Sequence, residues 1–155
     1  MTRRGLGLVA LALALLGLDP RTASAQLIGI SNTRELAFGE MVAGISAGTA
    51  VVAPAGTRSL TGGVSAGNSG GITSASFTVT GIPLLTFSIS LPSSTALTSG
   101  AHSMTVNTFT SSPSGSGQIG ALGSQVVTVG ATLQVGASQS SGAYSGSFSV
   151  TVVYN

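Results

Sequence analysis

The sequence predicts an all-β fold, an antiparallel sandwich or barrel, from three observations. The last twelve residues, 144–155, alternate strictly, with Phe148, Val150, Val152 and Tyr154 on one face and small polar residues on the other. Shorter alternations of the same kind recur along the chain. Segments rich in glycine, proline and serine separate them. Because a β-strand repeats every two residues, none of these segments places its apolar residues on one face of a helix.

Seven or eight short strands are expected, and the apolar alternations give their positions in the sequence. The apolar alternations lie at 36–38, 50–52, 77–79, 85–91, from Met104 through Val106, at 127–135 and in the terminal segment. The predicted turns lie at 54–56, 62–63, 67–71, 81–83, 92–94, 111–115 and 136–138. All four prolines after residue 25 fall in these turns, as expected of a residue that cannot donate to a sheet ladder.

Residues 1–25 are predicted to be a secretory signal peptide. Arg3 and Arg4 precede an apolar run at 6–18, and the segment closes with Ala-Ser-Ala before a cleavage site between Ala25 and Gln26. The run is shorter than the roughly twenty residues that span a bilayer. We therefore expect an exported protein, in the periplasm, at the cell surface or extracellular, without stable membrane insertion.

After residue 25 the charges are sparse and balanced. The two arginines, Arg34 and Arg58, balance the charge of the two glutamates, Glu35 and Glu40, and the sequence has no lysine. This gives no electrostatic footprint for a phosphate backbone, so we expect no nucleic-acid partner. The chain also has no cysteine, which excludes disulfides and thiolate chemistry.

Several catalytic patterns occur, and none has the context its chemistry needs. Residues 44–48 and 63–67 match the nucleophile elbow, which requires a following helix and a later acid and histidine. No carboxylate follows Glu40. Residues 67–71 resemble the serine loop of chymotrypsin-like proteases, but His102 comes after the serine and no aspartate occurs after residue 25 to orient it. We expect no catalytic residue and no enzyme.

Cofactor and metal patterns are equally weak. Residues 115–120 match a dinucleotide fingerprint but lie in a Ser/Pro loop without a βαβ unit. His102 is more than sixty residues from Glu35 and Glu40, so these three residues form no ligand cluster in sequence. We expect no cofactor and no metal, an exposed loop position for His102, and a solvated strand entry at Arg34 and Glu35.

Five segments carry a family resemblance, namely 36–39, 77–81, 87–92, 129–135 and 142–155. Together, over about residues 35–155, they resemble a pilin-like family of secreted bacterial domains of unknown function (domain of unknown function 4402). The wider similarity is to spore-coat-U-like proteins and chaperone–usher fimbrial subunits. Their last strand carries a penultimate tyrosine and a glycine fourteen residues from the end, which Tyr154 and Gly142 match here.

The resemblance implies an immunoglobulin-like sandwich lacking its final strand, with an apolar groove beside the carboxyl-terminal strand. A periplasmic chaperone and then the next subunit would fill this groove by β-strand addition. The implied assembly residues are Gly142, Phe148, Val150, Val152 and Tyr154. An unpaired strand edge on an uncharged sheet is also an association site on physical grounds alone.

Residues 26–35 are predicted to be a short amino-terminal extension before a pilin-like domain at 36–155. Leu27, Ile28 and Ile30 are its apolar candidates for a donor strand, and the alternative is that the segment is the first strand of the sandwich. The expected function is an exported structural subunit of a surface fibre or coat, a homo- or hetero-polymer with a chaperone and usher as partners. The alternative is a self-complete adhesin that binds carbohydrate or surface polymer through loops at 62–73 and 111–120.

Overall fold

Polar and glycine-rich segments form strands in this chain as readily as apolar ones. The computed structural model describes residues 27–155, and this part of the chain contains twelve strands and no helix. The strands are β1 (Gly29–Arg34), β2 (Ala37–Phe38), β3 (Met41–Val52), β4 (Arg58–Ala66), β5 (Ile72–Thr73), β6 (Ala75–Thr80), β7 (Thr86–Ser90), β8 (Ser94–Ser99), β9 (His102–Ser112), β10 (Ser116–Gln118), β11 (Ser124–Val135) and β12 (Thr151–Tyr154).

The larger sheet has seven strands, all paired antiparallel around the long strand β11. β11 pairs with β6 through residues 124–129, with β3 through 131–135 and with β9 through 128–134. Because the β9 register overlaps both others, β6 and β3 must follow one another along the same edge of β11. β1 extends the sheet beyond β6, β4 extends it beyond β3, and β8 extends it beyond β9.

The change from β6 to β3 along β11 occurs at Gly130. A Cβ atom built on this residue would collide with the backbone of Val52, and would lie 2.7 Å from the carbonyl carbon of Ala53. Only glycine allows the end of β3 to approach β11 this closely.

The smaller sheet has the strand order β10-β7-β12. It packs against only one half of the larger sheet, the half that contains β6 and the first part of β11. Between them lies a closed core, whose buried members include Phe77, Val79, Phe87, Val127 and Val152. A second cluster, formed by Phe38, Ala50, Val52, Val64, Val106, Ala131, Leu133 and Val135, comes from the other half of the larger sheet and from β2. Within the described residues, none of the strands of the smaller sheet contributes to this second cluster.

The fold class is confirmed as an all-β antiparallel sandwich of the immunoglobulin-like kind, and the four prolines after residue 25 lie outside strands. Three details differ from expectation. The strand number is twelve, and Gly62 and Gly63, predicted to be a turn, lie inside β4, opposite an irregularity in β3. The terminal segment is paired as a strand only at Thr151–Tyr154. Its alternation is nevertheless confirmed, because Phe148, Val150, Val152 and Tyr154 all pack against the closed core.

The segment at 29–34 forms β1, which pairs with β6. The predicted signal peptide and its cleavage site at Ala25 and Gln26 lie outside the described residues. No helix suited to crossing a membrane occurs in the part of the chain that the structure describes.

Candidate functional site: an open groove in the sandwich

A cavity of about 1120 Å³ lies over the second apolar cluster. We call it the groove. Its floor is apolar and is formed by Phe38, Leu97, Met104, Val106, Leu133 and Val135. Alternation explains this arrangement, because residues two apart on β9 and β11 turn their side chains to the same face of the sheet. In the closed half of the sandwich the smaller sheet covers this face of the larger sheet. In the other half, the same face borders the groove.

One wall of the groove consists of residues 35–43, the amino-terminal wall. Glu40 directs both backbone groups away from it: its N–H donates to Ser69 O and its carbonyl accepts from the N–H of Gly67, each at 3.0 Å. Backbone groups alternate in direction along an antiparallel strand, so Met41 directs its own to the opposite edge. Since β11 pairs with β3 only at 48–52, no described strand pairs with that edge at 41–43.

The facing wall consists of residues 144–148, the carboxyl-terminal wall. Ser145 exchanges two backbone hydrogen bonds with Thr98 of β8, at 2.9 and 3.0 Å, and Thr95 Oγ1 donates to Ser147 O at 2.7 Å. Further along, the Asn155 N–H donates to Thr86 O at 3.2 Å. In the stretch from 145 to 155, odd-numbered residues therefore direct their backbone groups toward β8 at the start and toward β7 at the end.

The even-numbered residues Gly146, Phe148 and Val150 consequently direct their backbone groups to the opposite edge. No backbone–backbone hydrogen bond joins residues 146–150 to any other described residue. Both walls therefore present a strand edge without a strand partner among residues 27–155. An unpaired edge of this kind accepts another strand.

Three phenylalanines separate the groove from the closed core. The Phe148 ring lies 5.0 Å from that of Phe109 and 6.2 Å from that of Phe77, the latter in an edge-to-face arrangement. Phe77 and Phe148 line the groove on one side and contact the closed core on the other. Aromatic pairs in this geometry add stability beyond their buried area, so this boundary is well packed.

Two glutamates of the amino-terminal wall, Glu35 and Glu40, line the groove. The Glu40 carboxylate accepts hydrogen bonds from Ser69 Oγ at 2.5 Å and from the Ser69 N–H at 2.7 Å. These bonds, the hydroxyl first, lower the pKa of Glu40 below its ordinary value of 4.5. Arg58 donates instead to the carbonyl oxygens of Phe38 and Glu40, at 2.7 and 2.9 Å.

The loop that leads into the carboxyl-terminal wall also lines the groove, and Tyr144 holds it together. The Tyr144 hydroxyl donates to Ser140 O and accepts from Gln139 Nε2, both at 2.8 Å. Gln139 Nε2 also lies 3.3 Å from Ser103 O. These bonds shape the loop that leads from β11 into the carboxyl-terminal wall.

The five predicted assembly residues divide between two places. Gly142 and Phe148 line the groove. Val150 and Val152 pack in the closed core, where Val152 is buried. Tyr154 packs against the same core and accepts a hydrogen bond from the Ile82 N–H. Their assembly role stays a prediction.

The predicted donor residues lie in or beside β1. Ile30 pairs with Val79 of β6, Ile28 packs against the closed core, and Leu27 is 86% exposed. None of the three lines the groove.

The enzyme-like patterns lie in extended chain or in exposed turns. Ser46 and Ser65 are exposed residues of strands β3 and β4, and Ser69 hydrogen-bonds Glu40. His102 opens β9 and is exposed. Among residues 27–155, no three histidine, aspartate or glutamate side chains gather as a metal-binding group. Of the two candidate adhesin loops, 62–73 reaches the groove through Gly70 and Gly71.

Sequence reasoning missed most of the groove floor as a site. Met104, Val106, Leu133 and Val135 were expected as strand residues facing a core, and Leu97 lies in a strand that was not predicted. Alternation shows that such residues share a face of a sheet. It does not show which part of that face another sheet covers.

The comparisons with known proteins give a family and no characterised relative. No curated protein and no solved structure matches the chain. Residues 28–154 match the family described as Domain of unknown function (DUF4402). This match takes in every residue that lines the groove and the whole of both apolar clusters. The chain belongs to this family of domains of unknown function.

Proposed function

We propose that this chain is an exported structural subunit of a surface fibre or coat, and that it assembles by accepting a β-strand from a partner chain in the groove. The observation that carries the proposal is the pair of unpaired strand edges on either side of an apolar floor. The relationship to pilin-like, spore-coat-U-like and fimbrial subunits, suggested by the sequence, points the same way.

The dimensions of the groove suit a short strand. The unpaired edge at Gly146–Val150 is five residues long, which corresponds to about 17 Å of extended chain at roughly 3.4 Å per residue. A strand placed beside it would pair with the backbone of even-numbered residues. Its alternate side chains would cover Leu133 and Val135 on the floor.

Strand addition would also remove two unfavourable features of the unoccupied groove, its exposed apolar floor and its unpaired strand edges. Apolar side chains along the floor would leave water, which stabilises by about 25 cal/mol per Å² of area covered. The unpaired edges would gain partners, which removes the tendency of such edges to associate indiscriminately. A chaperone and usher fit this scheme as the partners that hold the groove before assembly.

The test compares two lysine substitutions on neighbouring residues of β8. Leu97 is half-buried and lines the groove, whereas Thr98 is exposed on the other face of the same strand. We expect Leu97→Lys to place an ammonium group in the groove and block strand addition. Thr98→Lys makes the same change in charge outside the groove and serves as the control.

Both variants and the wild type would be isolated from periplasmic extract of the native host, with folding checked by circular dichroism and thermal unfolding. Unheated SDS gels and size-exclusion chromatography with light scattering would then report assembly. The expected result is SDS-resistant oligomers or a chaperone-sized complex for the wild type and Thr98→Lys, and a folded monomer for Leu97→Lys. A folded, partner-free monomer for all three proteins would contradict the proposal and favour a self-complete adhesin.

A further inference from the structure

The exposed leucines of residues 27–155 all belong to segments at one end of the sandwich. They are Leu27 ahead of β1, Leu84 and Leu85 in the β6–β7 loop, and Leu122 in the β10–β11 loop. Their side chains are between 42% and 97% exposed, whereas every other leucine of the described chain is buried or half-buried. We call these four residues the leucine end.

Backbone pairing brings the three segments together around the end of β6. Thr80, the last residue of β6, pairs with Gly29 of β1 on one side and with Ser124 of β11 on the other. The next residue, Gly81, donates its N–H to the carbonyl oxygen of Gly123 at 3.0 Å. The start of the described chain, the β6–β7 loop and the β10–β11 loop therefore meet at the same end of the sandwich.

The backbone of Leu84 adopts a conformation that suits glycine better than leucine. Its φ is 66°, in the left-handed region that bulky residues rarely occupy. The Leu84 N–H donates to Ile119 O and its carbonyl accepts from Gln118 Nε2, each at 2.9 Å. These bonds fix the loop while the side chain stays in water. A leucine here adds both strain and exposed apolar surface, which points to a partner for the side chain.

The leucine end has no charged side chain. The charged residues of the described chain are Arg34, Glu35, Glu40 and Arg58. Arg34 and Glu35 lie at the opposite end of β1, six residues or about 20 Å of extended chain away. Glu40 lines the groove, and Arg58 donates to its carbonyl oxygen. The leucine end is thus apolar, uncharged and remote from the groove.

The chain that precedes Leu27 identifies the partner. Residues 6–18 are the apolar run of the predicted signal peptide, and such a run enters the bilayer during export. The eight residues 19–26 connect this run to Leu27 and span at most about 29 Å. While they stay attached, the leucine end is the part of the folded domain that the tether holds beside the bilayer. A short tether gives the surface that it reaches a high effective concentration.

We propose that the leucine end is a membrane-docking surface, whose four leucines enter the lipid surface while residues 1–25 remain attached to the chain. The partner is the boundary between headgroups and acyl chains of a bilayer, where binding increases with the apolar area that is buried. Docking at this end leaves the groove open at the other end of β1. The docking surface therefore stands independently of strand addition in the groove.

The test places one tryptophan at a time in a chain that has none. Leu122→Trp puts the probe at the leucine end. Ile45→Trp is the matched control, because Ile45 is an apolar residue of β3 that is 95% exposed. Both full-length chains would be made by cell-free synthesis onto phosphatidylcholine vesicles, where no signal peptidase removes residues 1–25. Circular dichroism checks folding, and quenching by bromine atoms on the lipid acyl chains reports whether the indole lies in the bilayer.

We expect the emission of Leu122→Trp to shift to shorter wavelength and to be quenched by brominated lipid, and that of Ile45→Trp to do neither. Adding Leu27→Ser/Leu84→Gly/Leu85→Ser to the Leu122→Trp chain should abolish the quenching, because the tether remains but the leucines are gone. The fold should be retained, since these side chains are exposed and glycine suits the φ of Leu84.

The other outcomes each overturn the proposal. A shifted Leu122→Trp emission that brominated lipid leaves unquenched would mean that a second copy or residues 1–26 cover the leucine end. Unshifted, unquenched emission would mean that nothing covers it. Equal quenching in the leucine-depleted variant or in Ile45→Trp would show that the leucines do not dock the domain. Leu97→Lys in the groove should leave the quenching in place, so a failure of strand addition is read separately from a failure of docking.

Discussion

The hydroxyl of Tyr154 accepts a hydrogen bond from the backbone N–H of Ile82 at 2.8 Å, across 72 residues of sequence. Tyr154 belongs to β12 in the smaller sheet, and Ile82 follows β6 in the larger one. The bond therefore joins the two sheets at the end of the chain. It lies at the end of the terminal segment opposite the groove, where β12 is paired with β7.

Removing this hydroxyl should loosen the last strand without changing its packing. In Tyr154→Phe the ring stays against the closed core and the Ile82 N–H loses its acceptor. We expect a loss of about 1 kcal/mol in the free energy of unfolding and a melting temperature lower by about 4 °C. Urea and thermal unfolding would measure it. Val153→Thr, at a half-exposed neighbouring position, is the control and should change little; equal stability of both variants would show that the bond contributes nothing.

Gly81 is coupled to the same hydroxyl by close approach. A Cβ on Gly81 would collide with the Tyr154 hydroxyl but would lie 3.2 Å from the ring carbon that carries it. We therefore expect Gly81→Ala to destabilise the wild type by about 1–3 kcal/mol, as overpacking does, and to cost less in a Tyr154→Phe background. A double-mutant cycle measures this coupling. Gly71→Ala, where a Cβ meets nothing within 4 Å, should be close to neutral; additive effects at Gly81 and Tyr154 would contradict the prediction.

The strands that sequence analysis missed share one property. Strand β8, with the sequence Ser-Thr-Ala-Leu-Thr-Ser, has β9 as its one partner among the described strands, and its residues are exposed or half-buried. β4 lies at an edge of the larger sheet and contains Gly62 and Gly63. Edge strands need little apolar surface, so alternation is weak in them. β11, central and largely buried, was predicted at 127–135 because its apolar residues alternate there.

The groove was predictable only in part, for a related reason. The alternation of Phe148, Val150, Val152 and Tyr154 correctly placed all four side chains against a core. Which of them border open space depends on where the smaller sheet stops, and that is set by pairing between segments far apart in sequence. The amino-terminal wall at 35–43 shows the same limit, since residues 67–69 hold it through Glu40.

Two neighbouring valines of β12 test the alternation directly. Val152 is 8% exposed in the closed core, whereas Val153 is 51% exposed. We expect Val152→Lys to bury a charge without a partner and to lower the free energy of unfolding by at least about 2 kcal/mol. Val153→Lys should stay within about 0.5 kcal/mol of the wild type. Chemical denaturation measures both. Similar losses in the two variants would mean that the faces of the terminal strand are not distinguished.

The Glu40 carboxylate should titrate below its ordinary pKa of 4.5, because Ser69 donates its hydroxyl and its N–H to the charged form. A group whose pKa is lowered by folding stabilises the fold above its unfolded pKa, and this contribution is lost as the pH falls through the folded pKa. The hold of residues 67–69 on the amino-terminal wall should therefore weaken only in acid below pH 4.5. NMR titration of the Glu40 side-chain carboxyl carbon measures this pKa. We expect Ser69→Ala to move the midpoint upward, and Ser65→Ala, an exposed residue of β4, to leave it in place; an unmoved midpoint in Ser69→Ala would assign the shift to another cause.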